Sequence, residues 1–138
     1  AKTVMFYIAF AGEVNTQDMI KEAWKLKKRV AVPVSKSKNV ISPCFLLKGA
    51  RLVRGIYGTW EPAIRQYVNL NELDLIVVPG LAFDKKGRRL GRGKGCYDKF
   101  LSSFTRKVPS IGLAFDFQIL PSVPTTNTDV SVRRVIFA

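Results

Sequence analysis

An alternation of short apolar segments with helical patterns most constrains how this chain can fold. The clearest apolar segment, residues 74–79, leads into a glycine-rich loop at residues 80–95 and then a helical pattern at residues 96–104. Apolar runs of about four to eight residues bounded by turn residues are typical of buried strands. Strands that alternate with helices predict a mostly parallel sheet covered by helices. We therefore expect an α/β fold.

Other segments extend this pattern over the whole chain. Thr16 is a suitable N-cap for a helix that carries Met19, Ile20, Ala23 and Trp24 on one face. We expect Trp24 in the core. The sequence contains no internal repeat or linker, so we expect one domain over residues 1–138. Further strands are predicted at residues 3–11, 29–34, 44–47, 52–56, 111–115 and 134–137.

The chain is strongly basic. Its 23 Lys and Arg against 10 Asp and Glu give a net charge of +13 over 138 residues. Six of the cations, and none of the acids, fall within residues 85–94. A positive field attracts polyanions, such as nucleic acid, acidic lipid, nucleotide phosphates or a ligand with several carboxylates. A merely solvated basic surface is the alternative.

Several classes of protein are disfavoured. No apolar run approaches the roughly 20 residues that a membrane-spanning helix needs, and no secretory signal pattern opens the chain. Two cysteines, Cys44 and Cys96, are too few for a disulfide framework. We expect no membrane partner and a cytoplasmic location, with mitochondria as the alternative.

The glycine-rich loop is the strongest candidate for a binding site. Gly91, Gly93 and Gly95 alternate with Arg92 and Lys94 directly after the clearest predicted strand. Open α/β sheets bind ligands at the carboxyl ends of their strands, and such glycines allow backbone N–H groups to form an anion nest. The loop matches neither the Walker A nor the dinucleotide fingerprint. The loop is therefore more consistent with phosphate binding than with a flexible basic turn, although it contains no standard phosphate-binding motif.

At these residues the sequence resembles a known family. The stretch VVPGLAFDKKGRRLGRGKGCYDKFL, residues 77–101, closely resembles the signature of 5-formyltetrahydrofolate cyclo-ligases. Residues 12–16 resemble the family's early Glu-Val-x-Thr element, and residues 60–62 resemble its mid-chain segment. Residues 111–115, with Gln118 and Pro124, resemble its carboxyl-terminal part. The resemblance therefore covers most of the chain.

The resemblance implies a three-layer α/β/α ligase that uses ATP as co-substrate and Mg²⁺ as cofactor. It would close 5-formyltetrahydrofolate to 5,10-methenyltetrahydrofolate through an iminophosphate, releasing ADP and phosphate. Its partners would be folate and ATP, with no nucleic acid. Lys94 and Arg92 would be catalytic, and Asp98 and Asp129 would bind the metal. The implied ATP-binding residues are Arg89, Leu90, Gly91, Arg92, Gly93, Lys94, Gly95, Cys96 and Tyr97. The implied folate-binding residues are Ile8, Glu13, Trp60, Arg92, Gly93, Lys94, Gly95 and Cys96.

Each of these residues also has an ordinary structural alternative. Asp98 and Glu13 could be charges in or before the first turn of a helix. Asp129 lies in a Thr- and Asn-rich segment where a turn Asp is common. Tyr97 lines the folate pocket or packs beside its helix. Trp60, placed in a predicted loop, is suited to stacking on a ring.

The chain departs from the family pattern in three ways. Cys96 stands where many relatives carry Tyr, which would loosen contact with the folate ring. The His common before the family's late Asp is missing before Asp129. The chain starts at the strand that usually follows an amino-terminal helical segment, so part of the phosphate site would be absent or supplied differently. A paralogue with another substrate or none, and a basic nucleic-acid-binding domain, remain as alternatives.

Overall fold

The computed structural model describes residues 1–10, 12–91, 95–126 and 128–137. In this part of the chain two α-helices, α1 (Gln17–Lys25) and α2 (Cys96–Ser102), accompany ten strands and two short 3-10 helices, Leu70–Glu72 and Asp116–Gln118. The strands are β1 (Thr3–Met5), β2 (Arg29–Ser37), β3 (Val40–Phe45), β4 (Leu52–Arg54), β5 (Trp60–Pro62), β6 (Leu75–Val78), β7 (Ala82–Phe83), β8 (Arg89–Leu90), β9 (Ser110–Ala114) and β10 (Arg134–Phe137).

Six strands form the main sheet in the order β10-β9-β6-β1-β2-β3. β1 pairs in parallel with β2 on one side and with β6 on the other. β6, β9 and β10 continue the parallel pairing, whereas β3 joins β2 as an antiparallel edge. Two separate hairpins, β4–β5 and β7–β8, each form a two-stranded antiparallel sheet. The predicted mostly parallel sheet is confirmed.

The two faces of the main sheet are each covered by one of the helices. Val4 of β1 belongs to a core cluster that includes Ile20 and Ala23 of α1. The next residue, Met5, belongs to a second cluster that includes Phe100 of α2. Successive residues of a strand point to opposite faces, so α1 and α2 lie on opposite sides. The predicted α/β/α layering is confirmed.

Several element boundaries differ from prediction. The first strand ends at Met5 rather than running to residue 11, although the N–H of Phe6 still donates to the carbonyl of Ala31 in β2 at 2.8 Å. Thr16 is the N-cap of α1, but its hydroxyl donates to the carbonyl of Tyr7 instead of capping the helix. Asn15 Oδ1 accepts the N–H of Gln17 at 2.8 Å in its place.

The apolar face of α1 is narrower than predicted. Met19 is exposed, whereas Ile20 and Ala23 are buried. Trp24 is half-buried, packs against the same cluster and donates its indole N–H to the carbonyl of Leu46 at 3.1 Å. The predicted core position is therefore only partly right, because Trp24 packs on the cluster without being fully buried. Within the described part of the chain, neither helix has the length and apolarity that crossing a membrane requires.

The predicted loop at residues 80–95 contains the β7–β8 hairpin, which the sequence prediction missed. Asp84, 1% exposed, organises its turn by accepting the N–H groups of Lys86 and Arg88 at 3.0 Å. The same carboxylate accepts Arg88 Nε at 2.6 Å and the N–H of Val123 at 3.0 Å. Burial raises the pKa of Asp84, but these donors outweigh it and lower the pKa to about 2. One charged carboxylate thus ties the hairpin to a distant segment.

Replacing Asp84 tests this arrangement. Because its pKa in the folded protein lies below the ordinary value of 3.8, its charge stabilises the fold above about pH 4. That contribution is lost as the pH falls from about 4 to about 2. Asp84→Asn should therefore destabilise the protein clearly at pH 7 and much less near pH 2.5, as measured by urea unfolding. The exposed Asp116→Asn is the matched control. An Asp84→Asn deficit that stays constant over this range would contradict the assignment.

Candidate functional site

A cleft of about 920 Å³ opens beyond the carboxyl ends of β1 and β6. β1 leads through α1 to β2 on one side, and β6 leads through α2 to β9 on the other side. Chains that leave neighbouring strands in opposite directions create a crevice between them. Ile8, which follows β1, and Pro79 and Gly80, which follow β6, line this crevice.

The cleft brings together every predicted site residue that the structure describes. They come from five parts of the chain: the segment after β1, the β4–β5 hairpin, residues 89–91, residues 95–98 and Asp129. Arg92, Gly93 and Lys94 lie outside the described residues, so their predicted roles stay predictions. The predicted residues that line the cleft are Ile8, Glu13, Trp60, Arg89, Leu90, Gly91, Gly95, Cys96, Tyr97, Asp98 and Asp129.

Other lining residues were not predicted. One wall is formed by β2 and β3, through Pro33, Ser35 and Ile41. No sequence pattern distinguishes such wall residues from other strand residues. Lys99 and Ser102 also line the cleft, and residues three apart on a helix lie near one another. Their spacing from Cys96 was a signal that could have identified them.

Arg89 is a fixed cation in the cleft wall rather than a mobile surface charge. Its side chain is 6% exposed. Its guanidinium donates to the carbonyl of Pro79 at 3.1 Å and to Asp98 Oδ1 at 3.5 Å. A Cβ on Gly91 would lie 2.8 Å from Arg89 Nη1, which is closer than packing allows. An alanine at residue 91 would therefore displace the Arg89 guanidinium from this position.

Asp98 connects three parts of the site. Its Oδ1 accepts the N–H of Val130 at 3.1 Å in addition to its contact with Arg89. Asp98 therefore joins α2 both to the β7–β8 hairpin and to the segment after residue 127. Asp129 lies in that segment, where its carboxylate accepts the N–H of Thr126 at 2.8 Å. The predicted turn role of Asp129 is thus present, alongside its place in the cleft.

These acids limit how a metal could bind. Among the described residues, no group of three or more His, Cys, Asp and Glu side chains is arranged to hold a metal ion. Magnesium is commonly held by one or two carboxylates together with waters and the phosphates of a nucleotide. Asp98 and Asp129 fit this way of binding, in which two carboxylates hold a metal that arrives together with the nucleotide.

Glu13 lies in a turn at the cleft. Its N–H donates to the carbonyl of Phe10 at 3.0 Å, and its Oε1 accepts the N–H of Phe10 at 2.7 Å. α1 begins four residues later, at Gln17, and Asp18 is the acid of its first turn. Glu13 therefore lies before the first turn of α1 rather than in it. The hydrogen bond from the N–H of Phe10 holds the Glu13 carboxylate at the cleft wall.

Two tyrosines, the buried Tyr7 and the half-buried Tyr97, line the cleft together with Glu13. Burial raises the pKa of Tyr7 and Tyr97 well above the ordinary tyrosine value, and the Glu13 carboxylate raises both further. Both are therefore neutral hydrogen-bond donors at physiological pH. The hydroxyl of Tyr7 donates to the carbonyl of Val14 at 2.7 Å. The buried hydroxyl of Tyr97 has no hydrogen-bond partner among the described residues, and neither does Arg89 Nε.

Trp60 lies in β5 rather than in the predicted loop. Its side chain is 43% exposed, and the Arg54 guanidinium lies 4.1 Å from the centre of its ring. Arg54 also donates to the carbonyl of Gly58 at 2.6 Å. A cation over the indole face restricts the ring, so the hairpin presents a held aromatic surface at the cleft.

The two tyrosines form a matched test of the unpaired hydroxyl. Tyr7→Phe removes the hydrogen bond to the carbonyl of Val14 and should lower the free energy of unfolding by about 1 kcal/mol. Tyr97→Phe removes an unpaired buried hydroxyl, so the free energy of unfolding should be unchanged or higher without ligand. Urea denaturation of both variants measures this difference. An equal loss in both variants would show that the Tyr97 hydroxyl is paired in the free protein.

Known proteins resemble this chain over almost all of its length. The family model for the 5-formyltetrahydrofolate cyclo-ligase family matches residues 1–138. The 5-formyltetrahydrofolate cyclo-ligase of Haemophilus influenzae is 36% identical, covering 99% of this chain and 75% of the relative. The Escherichia coli enzyme of the same name is 33% identical, covering 99% of this chain and 78% of the relative. The structure of 5,10-methenyltetrahydrofolate synthetase from Aquifex aeolicus superposes with a TM-score of 0.83 at 34% identity, covering 99% of this chain and 68% of that chain. This chain therefore belongs to the 5-formyltetrahydrofolate cyclo-ligase family.

Proposed function

We propose that this protein converts 5-formyltetrahydrofolate to 5,10-methenyltetrahydrofolate and consumes ATP, releasing ADP and phosphate. One observation carries the proposal. A single cleft of about 920 Å³ collects the described residues that were predicted for ATP, folate and metal from five separate segments. That volume suits small-molecule ligands. Membership of the cyclo-ligase family supports the same reaction.

The chemistry explains why ATP is consumed. The formyl oxygen is a poor leaving group, so the reaction begins when this oxygen attacks the γ-phosphorus of ATP and ADP departs. The resulting iminophosphate carries the oxygen as part of a phosphate. The anilino nitrogen of the folate then attacks the formyl carbon, phosphate leaves with the oxygen, and the nitrogen loses its proton. For the protein, phosphoryl transfer requires mainly positioning and charge stabilisation.

The nucleotide end of the cleft is assigned to the glycine-rich loop. Lys94 and Arg92 would neutralise charge on the transferring phosphoryl group, and backbone N–H groups from Gly91 to Gly95 would hold its oxygens. Arg89 supports this assignment, since its buried cation lies beside Gly91, where the stretch of alternating glycines begins. Because α2 has only seven residues, the loop rather than the helix dipole would supply most of the anion binding.

The folate end is assigned to Glu13 and Trp60. The Glu13 carboxylate would accept hydrogen bonds from the amino and ring N–H groups of the pterin. Trp60, restrained by Arg54, would stack on an aromatic ring of the folate. Ile8 and Cys96 line the cleft as well, and the thiol of Cys96 leaves more room than the Tyr of many relatives.

The metal is assigned to Asp98 and Asp129. Mg²⁺ bound with ATP would neutralise phosphate charge, and each carboxylate would supply one or two oxygen ligands. Their existing contacts hold both acids at the cleft wall before any ligand arrives.

Coupled turnover is the decisive test. We expect the purified protein to hydrolyse ATP slowly alone, and much faster when 5-formyltetrahydrofolate and Mg²⁺ are added. The near-ultraviolet absorbance of the methenyl product should rise mole for mole with ADP. The isomer formylated on the anilino nitrogen should not replace the substrate, because the oxygen to be phosphorylated lies elsewhere.

Two outcomes would overturn the proposal in different ways. ATP binding without methenyl product indicates a paralogue that keeps the nucleotide site but uses another substrate. Steeply salt-dependent nucleic-acid binding without folate-stimulated ADP release indicates a nucleic-acid-binding domain. Any longer native form of the protein should be assayed in parallel.

A substitution at Asp98 tests the metal assignment. Asp98→Asn keeps an oxygen that can accept the N–H of Val130 and removes the negative charge. We expect the Mg²⁺ concentration for half-maximal activity to rise by about tenfold or more. The free energy of unfolding should fall as well, because the buried Arg89 cation loses its anionic partner. Asp18→Asn, at an exposed position of α1, is the control. An unchanged magnesium requirement would show that Asp98 only connects α2, Arg89 and Val130.

A further inference from the structure

The β4–β5 hairpin carries Trp60 but does not belong to the main sheet. Its two strands pair with each other from Leu52↔Pro62 to Arg54↔Trp60. The location of Trp60 in the cleft therefore depends on what attaches this hairpin to the main sheet. An isolated two-stranded hairpin has little stability of its own.

Glu61, next to Trp60, provides that attachment. It is 1% exposed, whereas Trp60 is 43% exposed, as expected for neighbours that point to opposite faces of a strand. Glu61 Oε2 accepts the N–H of Ser35 in β2 at 3.0 Å, and Oε1 accepts Arg65 Nη2 at 3.0 Å. The pairing of β2 with β3 shifts register between Ser35 and Ser37. The carboxylate thus binds the main sheet at an irregularity in its ladder.

Gly55 makes room for this carboxylate. A Cβ on Gly55 would overlap Glu61 Oε2. The φ angle of Gly55 is not positive, so an L-residue is compatible with its backbone, and the requirement for glycine is one of space. The chain therefore has two independent features, a buried acid and a missing side chain, that serve the same contact.

We propose that Glu61 is a positioning residue that docks the β4–β5 hairpin on β2 and thereby fixes Trp60 for folate binding. The expected kinetic effect rests on the proposed function, whereas the docking of the hairpin on β2 is independent of it. Because Glu61 acts at the Trp60 end of the cleft, its loss should affect folate and leave ATP binding largely unchanged. A residue that only stabilised the fold would not separate the two substrates.

Two variants disturb the contact from opposite sides. Glu61→Gln keeps the size of the side chain, but places an amide donor against either Arg65 or the N–H of Ser35. Gly55→Ala keeps Glu61, but the added methyl group would overlap the Glu61 carboxylate and force it away from Ser35. Misplacing a binding group by about 1 Å can cost up to a hundredfold in rate. We expect the KM for 5-formyltetrahydrofolate to rise about tenfold in both variants, with the KM for ATP changed less than about twofold.

Gly49→Ala is the matched control. Gly49 has a φ of 80° with no atom within 4 Å of an added Cβ, so alanine there introduces strain without touching Glu61. This variant should lose stability and keep the folate KM of the parent protein. A raised folate KM in Gly49→Ala would show that general destabilisation alone explains the effect.

A second measurement is independent of catalysis. In a Trp24→Phe background Trp60 is the sole tryptophan, so its fluorescence reports the hairpin directly. We expect Glu61→Gln and Gly55→Ala to shift the emission and to increase quenching by acrylamide at least about twofold, whereas Gly49→Ala leaves both unchanged. If the parent protein lacks folate-stimulated ADP release, the proposed function fails while this measurement still tests the docking. If either disturbing variant folds and leaves both Trp60 emission and folate KM unchanged, the positioning role of Glu61 is overturned.

Discussion

The parallel pairing of β1 with both β2 and β6 is the constraint on which the site depends. β1 has only three residues, yet it lies between the two halves of the sheet. Because α1 and α2 cover opposite faces, the chain leaves β1 and β6 in opposite directions, which opens the cleft between them. Tyr7 and Ile8 can line this cleft only because the strand ends at Met5. The departure from the predicted longer strand is therefore part of how the site is built.

Buried polar side chains hold the irregular segments around that cleft. Gln118, 7% exposed, donates to the carbonyls of Gly12 at 3.4 Å and Leu81 at 3.1 Å, and its Oε1 accepts the N–H of Phe115 at 2.8 Å. These partners follow β1, β6 and β9, which are neighbours in the sheet. Asp84 and Glu61 perform the same task for the two hairpins. A buried polar group that loses its partners costs more than the bond contributes, so such groups restrict each segment to one arrangement.

Sequence patterns identified the elements that bury apolar residues and missed those held by single polar contacts. The parallel strands and both helices were predicted because their composition reports burial directly. The β7–β8 hairpin and β5 were missed, since Asp84 and Glu61 look like ordinary surface acids in the sequence. For the site, the loop and the family resemblance led to residues that do share one cleft. The wall contributed by Pro33, Ser35 and Ile41 depends on how β2 and β3 pack, which periodicity does not reveal.

The structure separates the cations that hold the fold from those that give the chain its net positive charge. Three acids, Glu61, Asp84 and Asp98, each form an ion pair with one arginine. These arginines are engaged in holding the cleft and its hairpins, so the excess of +13 resides largely in other cations. Both proposed substrates are anions, and a net positive field speeds their approach without specifying either one. Under the proposed function, specificity would come from the held groups, with Arg89 facing a phosphate and Glu13 facing the pterin. The basic surface and the selective cleft are therefore separate features, and only the cleft distinguishes a folate enzyme from a general binder of anions.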